Sequence, residues 1–315
     1  MIRRPPRSTP SNSSAASDVY KRQGVYMATL ILKPKHEFTV PVEVEKIIPD
    51  NIAGKSLDEV LEIRVYEGNR RRTLGELFEV SGEIAEKPAE QEIIFQRNTC
   101  KIRRIGEEMS AGKIIVEGDA GPLAGFKMKG GTLIIKGNAG PWLGAKMKKG
   151  FIEVFGDAEG FVGSKLRGEE LYSGMSGGMI IIHGNAGREV GAHMVGGAIL
   201  VEGNAGILPG MHMAKGEIMI KGNCAGWPGT HMVGGKIIIL GKVESIAPSF
   251  YFEAVKKKAK FVKEKIPGPF YLFLGDVLDN IAIPGKLLIS VENNPHLKYY
   301  EQFVEEVKDE WVEAV

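Results

Sequence analysis

GFKMKGGTLIIKG at 125–137, GAHMVGGAILVEG at 191–203 and GTHMVGGKIIILG at 229–241 are three copies of one phrase. Between residues 106 and 241 it recurs seven times: Gly, two variable residues, Met, two more, Gly, then x-[Ile/Leu]-x-[Ile/Val]-x-Gly. Its methionines are Met109, Met128, Met147, Met175, Met194, Met213 and Met232, with steps of 19, 19, 28, 19, 19 and 19 residues. Its leading residue is Gly106, Gly125, Gly144, Gly191, Gly210 or Gly229, and Tyr172 in the fourth copy. Six-residue joints such as NAGPWL link the copies. Self-similarity at a fixed period of this length predicts stacked structural repeats.

One unit holds one alternating stretch, as in Thr132-Leu133-Ile134-Ile135-Lys136, which reads as a half-buried strand. It leaves no room for a helix of ~10 residues. Glycine corners can turn at φ > 0 without a Cβ clash. The expected fold is all-β: a right-handed parallel β-helix of about seven coils, stacked at ~4.8 Å and closed by mixed α/β capping segments. Equivalent positions then become columns. The methionines fill the interior, a use suited to a flexible thioether. Asp119, Asn138, Asp157, Asn185, Asn204 and Asn223 form a hydrogen-bond ladder at a corner. The small joint position is Ala in five copies and Cys224 in the last.

The residue before each methionine makes another column: Glu108, Lys127, Lys146, Gly174, His193, His212 and His231. With Met inward, alternation along an extended chain turns this column outward. Three imidazoles then stack at ~4.8 Å steps. A straight ladder does not converge on one point, so it suits tetrahedral zinc poorly. A solvated ladder and a partner-facing stripe are the readings left open. Imidazoles this close repel when charged, which predicts pKa values below ~6.5. The long fourth step predicts a loop within SKLRGEELYS at 164–173, because an insertion must leave the stack if Met175 is to rejoin its column. That loop is either a tolerated insertion or a docking element carrying Arg167, Glu169, Glu170 and Tyr172.

The remaining chain lacks the period. Residues 1–26 are rich in Ser, Pro and Arg, have no apolar core, and read as an adapter-derived leader before a start at Met27. They carry five basic residues against one acidic, a net +4, which leaves −2 for the rest of a chain whose total is +2. The basic balance is therefore no argument for nucleic-acid binding. Residues 27–98 read as an N-terminal cap, with strands at 29–32 and 62–66, a helix at 74–80 and Arg70–Arg72 at a solvated turn. The stacked region covers 99–241. Residues 242–315 read as a C-terminal cap with two helices: FYFEAVKKKAKFVKEK at 250–265, and a last one opened by Asn294-Pro295. The last helix carries the stripe Leu297, Tyr300, Phe303, Val304, Val307 and Trp311. Strands are expected at 271–274 and 286–291.

No phosphate loop, HExxH or nucleophile elbow is present, and the glycines follow the period instead. Cys100 and Cys224 form no CxxC pair and are too few for a disulfide framework, which points to a reducing cytoplasm. No apolar run reaches the ~18 residues of a membrane-spanning helix. A stand-alone β-helix enzyme would need an outward acidic pair on adjacent coils. The second strand position carries Glu153 once and Ile134, Leu200, Met219 and Ile238 elsewhere.

The seven copies of G-x-x-M-x-x-G-x-[IL]-x-[IV]-x-G resemble the C subunit of formylmethanofuran dehydrogenase, and FYLFLGD and ENNPHL in the tail share the likeness. The C subunit of the bacterial formyltransferase/hydrolase complex and the β-helix domain of glutamate synthase are also similar. The long fourth step departs from the pattern. The resemblance implies a cytoplasmic, archaeal complex of methanogenesis that reduces CO2 at a tungsten- or molybdenum-bearing pterin and fixes it on methanofuran at a dinuclear metal site. Electrons arrive through ferredoxin-like subunits with iron–sulfur clusters. It places those cofactors in partner subunits, among them a molybdopterin subunit and an amidohydrolase subunit. This chain becomes a non-catalytic scaffold, without catalytic, cofactor or metal residues of its own. Its interface candidates are Lys127, Lys146, Arg167, Glu169, Tyr172, His193, His212 and His231.

Overall fold

Alternation decides which residues become strand. Leu133 and Ile135 are fully buried while Thr132 and Ile134 between them are not, the pattern of a strand with one face in the core. The computed structural model describes residues 27–97, 99–278 and 284–303. Its first strands are β1 (Ala28–Pro34), β2 (Val42–Glu43), β3 (Arg64–Glu67), β4 (Arg70–Thr73), β5 (Phe78–Gly82), β6 (Gln91–Phe95) and β7 (Ile102–Arg103). The recurring phrase then supplies β8 (Lys113–Val116), β9 (Thr132–Ile135), β10 (Phe151–Val154), β11 (Ser176–Ile182), β12 (Val195–Val201), β13 (Lys215–Ile220) and β14 (Lys236–Ile239). After these come β15 (Tyr251–Phe261), β16 (Glu264–Gly275) and β17 (Gly285–Ser290). Helices are short: α1 (Pro49–Ile52), α2 (Leu57–Leu61), α3 (Leu74–Leu77) and 3-10 segments at Pro88–Glu90 and Pro295–Gln302.

The expected closed parallel β-helix is not what forms. Thirteen strands make one mixed sheet in the order β15-β16-β17-β14-β13-β12-β11-β10-β9-β8-β6-β1-β5, and β4-β3-β2-β7 make a small second one. From β1 to β17 the pairs are parallel, but β5 at one edge and β16 and β15 at the other run antiparallel. A closed solenoid needs further sheets on its other sides. Here the return path forms isolated single-residue bridges, Ala120 to Ala139, Ala158, Ala186, Ala205, Cys224 and Val243, and scattered turn-to-turn hydrogen bonds rather than a ladder. The reason lies in the joints. Short, glycine-rich turns with left-handed backbone at Leu123, Trp142, Phe161 and Leu208 cannot extend into a ladder.

Register inside the sheet follows the sequence period: Ile115 pairs with Ile134, Ile134 with Glu153, Glu153 with Ile181, Ile181 with Leu200 and Leu200 with Met219. The inner face meets the seven methionines, all fully buried, and the small joint residues in one apolar core. The corner Asn and Asp side chains bond mainly to backbone, with one side-chain bond, Asn185 Nδ2 to Asp157 Oδ1 at 3.2 Å. Each Oδ1 accepts the backbone N–H of the equivalent residue one step on, from Asn138 N on Asp119 at 2.7 Å to Lys242 N on Asn223 at 2.8 Å.

The stretch at 250–265 is not a helix. It forms β15, the turn and the start of β16, a hairpin that folds over the outer face of the sheet. Ala259, Phe261 and Ile266 pack there with Ile181, Leu200, Met219 and Ile238 in a second apolar cluster. Val262 N donates to Glu217 Oε2 at 2.6 Å and fixes the tip. The region expected as an N-terminal cap sends β1, β5 and β6 into the main sheet, and its helix stops at Leu77 because β5 begins there. Arg70–Arg72 lie on β4 rather than in a turn, and Arg72 Nε faces Glu67 at 3.4 Å. The last segment is 3-10 from Pro295 to Gln302, and Val304, Val307 and Trp311 lie outside the described residues, as do residues 1–26.

Candidate functional site

Each regular turn is built the same way. The N–H of Met128 donates to Gly125 O at 3.2 Å and that of Met194 to Gly191 O at 3.2 Å, with the glycines at φ 68° and 66°. The residue before each methionine is also left-handed: φ is 56° at Glu108, 53° at Lys127, 56° at Lys146, 61° at His193, 52° at His212 and 58° at His231. These side chains point outward because of this tight turn, not because the chain is extended. Backbone bonds to the next turn hold them, such as Lys127 N to Ala145 O at 2.8 Å and His193 N to Met211 O at 2.7 Å.

In the fourth turn the glycine role falls to Gly163, not to the position of Tyr172. Gly163 has φ 66°, and Met175 N donates to its carbonyl at 2.8 Å across the whole insertion. The extra residues therefore sit between glycine and methionine, so a count back from Met175 lands on the wrong residue. Gly174 is buried and adds no side chain, while Lys165, after Ser164, stands close enough to act electrostatically on His193. Lys146 Nζ holds Glu169 at 2.7 Å, and Leu166 N holds the other Glu169 oxygen at 2.9 Å. Burial raises that carboxyl's pKa, but these donors outweigh it and leave it below the usual range. Arg167, Glu170, Leu171 and Tyr172 are exposed on the loop. Glu108 pairs with Lys129 at 2.7 Å, and Lys127 lies over the Phe126 ring at 4.8 Å.

The structure brings the three histidines together as a stack. His193 and His212 rings are 5.0 Å apart at 14°, and His212 and His231 are 4.8 Å apart at 12°. Burial first, then the charges of Lys165 and His212, pushes His193 down to about 4. Its Nδ1 is buried without a partner in the chain. A neutral ring protonated on Nε2 tolerates that position, whereas an imidazolium would strand a buried donor.

A second histidine site gave no sequence signal beyond the 19-residue spacing of His183 and Glu202. On the outer sheet face, His183 Nδ1 lies 2.7 Å from Glu202 Oε2 and Nε2 lies 2.9 Å from Glu153 Oε1. A ring with a carboxylate on each nitrogen must donate from both, so it is the imidazolium that fits. Burial opposes the charge, but the two carboxylates outweigh it and raise this pKa. Phe155 packs on the His183 ring at 5.0 Å, and Lys136 lies 4.3 Å above Phe155.

The joint corner carries a third cluster, also missed from the sequence. Trp142 and Phe161 stack at 5.1 Å and 11°, and the guanidinium carbons of Arg188 and Arg167 lie 5.0 and 5.9 Å from the Phe161 centroid. Nearby, a groove of about 590 Å³ is lined by Cys100, Asp119, Asn138, Asp157 and Glu159, among others. Asp119 and Asp157 spend an oxygen there on the corner N–H groups. Among the described residues no three His, Cys, Asp or Glu side chains are grouped to hold a metal ion, and no helix is long and apolar enough to cross a membrane.

No family model matches the chain. Over 99 residues, 31% of its length, it is 44% identical to the C subunit of the tungsten-containing formylmethanofuran dehydrogenase 2 of Methanothermobacter wolfeii. Over 95 residues it is 43% identical to the C subunit of the molybdenum-containing formylmethanofuran dehydrogenase 1 of Methanosarcina barkeri. These matches span 37% and 32% of the two curated relatives, about a third of their length. In three dimensions the chain resembles one chain of the formyltransferase/hydrolase complex of Methylorubrum extorquens, solved with methylofuran. The TM-score is 0.70 at 25% identity, over 82% of this chain and 99% of that one.

Proposed function

We propose that this chain serves as the C subunit of a formylmethanofuran dehydrogenase complex, as a non-catalytic scaffold for the subunits that carry the chemistry. One observation carries this reading: the chain matches 99% of a chain from a solved multi-subunit formyl-transferring complex, and it is 44% identical to dehydrogenase C subunits over the matched stretch. In this reading CO2 reduction takes place at a tungsten- or molybdenum-bearing pterin in a molybdopterin subunit. An amidohydrolase subunit with a dinuclear metal site then fixes the product on methanofuran. Ferredoxin-like subunits bring electrons through iron–sulfur clusters. In this reading residues 99–241 form the scaffold body, and the described residues on either side of them finish its ends.

The outward column and the loop are the surfaces proposed to meet partners: Lys127, Lys146, His193, His212 and His231, with Arg167, Glu169 and Tyr172. A stacked imidazole row beside lysines suits a polar protein surface, and burial keeps His193 neutral at neutral pH. A second reading, the C subunit of a formyltransferase/hydrolase complex, is favoured by the structural match. Its 25% identity, against 44% for the dehydrogenase subunits, puts it second.

The test is an activity measurement with the dehydrogenase subunits co-produced with and without this chain. The chain alone is expected to oxidise no formylmethanofuran, and the set lacking it to lose activity through failed assembly. Turnover by the chain alone, or a fully active set without it, overturns the proposal.

A further inference from the structure

Five lysines of the recurring units are matched to carboxylates. Lys113, Lys129, Lys146, Lys221 and Lys236 each hold a carboxylate at 2.7 to 3.0 Å. The arginines beside Phe161 differ. Arg167 meets no carboxylate at ion-pairing distance among the described residues, and Arg188 reaches Glu189 only at 4.0 Å, where little attraction survives in water. Both lie near one aromatic ring, so their centres are no farther apart than the sum of the 5.0 and 5.9 Å separations. Carboxylates of one extended segment can span such a separation.

The platform beneath them is fixed by the backbone. Trp142 at φ 61° and Phe161 at φ 68° are non-glycine residues held left-handed, and both rings are half-buried at the joint. The rings stack in parallel, and a guanidinium over an aromatic face keeps its fork of N–H groups free to bond at its edge. Such a fork matches a carboxylate in two parallel hydrogen bonds, which a lysine would not do. Arg167 comes from the inserted loop and Arg188 from the following joint, so the insertion completes the pair. The same loop exposes Leu171 at 55% and Tyr172 at 38%, apolar side chains on the segment that carries Arg167.

We propose that Arg167 and Arg188, at the Trp142–Phe161 stack, form a docking site for an acidic polypeptide segment of a partner protein. This deepens the scaffold reading and rests on it for the partner's presence in a complex. Charge complementarity decides the occupant. The site offers two forks beside one ring, with Glu189 at its border. A phosphate backbone requires cations spread along its path, whereas two carboxylates on one segment need only this pair.

The probe is a fluorescein-labelled deca-glutamate peptide, read by anisotropy on the full chain, with a deca-lysine peptide and a single-stranded RNA as comparators. Wild type should bind the glutamate peptide at low salt. Arg167→Glu/Arg188→Glu should weaken that binding at least about tenfold, and salt should weaken it too. An unchanged melting curve establishes that the variant is folded, and Arg167→Gln/Arg188→Gln replaces it if it is not. Equal binding by the variant, no binding by wild type, or tighter binding of RNA than of peptide overturns the proposal. In the co-produced complex the double variant should lose a partner that wild type retains. If both retain every partner, the docking site is wrong and the scaffold reading survives. If wild type retains none, the scaffold reading fails, and the peptide measurement alone decides whether the site binds acidic chains.

Discussion

The turn from Gly191 to Met194 takes four residues, and the turn from Gly163 to Met175 takes thirteen, yet both close on the same hydrogen bond, Met N–H to Gly carbonyl, at 3.2 and 2.8 Å. Both methionines are fully buried. What the fold constrains is the closing pair and the space behind it, not the length of chain between them. Loop closure entropy grows slowly with length, so extra residues that leave the sheet change stability little. The short turn has no such freedom: a Cβ on Gly191 would collide with Ile218 Cδ1 and lie 2.7 Å from Met194 Sδ, whereas one on Gly168 in the loop meets nothing within 4 Å.

The largest expected effect is on the buried side of this contrast. Met194→Ala should destabilise by about 3 kcal/mol through the cavity it leaves, while Tyr172→Ala in the loop should stay within about 0.5 kcal/mol; chemical denaturation of both checks it. Gly191→Ala should cost about 2–3 kcal/mol from strain at φ 66° plus the clash, against about 1 kcal/mol for Gly168→Ala, which has the strain alone. Equal losses at the two glycines would mean that the short turn can relax.

The two histidine sites extend the contrast to pH. His193 has a folded value of about 4 against an unfolded value near ~6.5, so its neutral form is favoured by folding. Stability should fall as pH drops from ~6.5 towards ~4, and His193→Gln should flatten that loss in melting curves. His183 is raised, so its contribution is complete below ~6.5 and disappears as pH climbs through its folded value. His183→Gln should therefore be more damaging in mild acid than in mild alkali, the reverse of His193→Gln.

The smallest effect is the most telling. Deleting residues 165–173 leaves Gly163-Ser164-Gly174-Met175, which restores the G-x-x-M spacing. The stability change, read by chemical denaturation, should be under about 1 kcal/mol. Unfolding of this variant would mean that the insertion is part of the fold.

The same physics explains what the sequence disclosed. The methionine, glycine and Asn/Asp positions were legible because each carries one chemical demand that only a few residue types meet. The hairpin at 251–275 was not. Its bulges at Phe252/Ala254 and Lys256/Lys258 interrupt the period of two, and buried Phe252 and Ala259 end up seven apart, the spacing of two helical turns. The single-sheet architecture was hidden because a glycine-rich joint reads the same whether the return path forms a sheet or a line of isolated bridges. Trp142 and Phe161 also lie 19 residues apart, but Arg167 reaches their stack only through the insertion, which no period encodes. The imidazole stack, by contrast, followed directly from register.

The scaffold role is read without an intermediate step by native mass spectrometry of the chain co-produced with the molybdopterin, amidohydrolase and ferredoxin-like subunits of formylmethanofuran dehydrogenase. A scaffold gives one assembly that contains this chain in fixed ratio and falls apart when it is omitted. A chain that flies alone while the other subunits assemble without it would contradict that role.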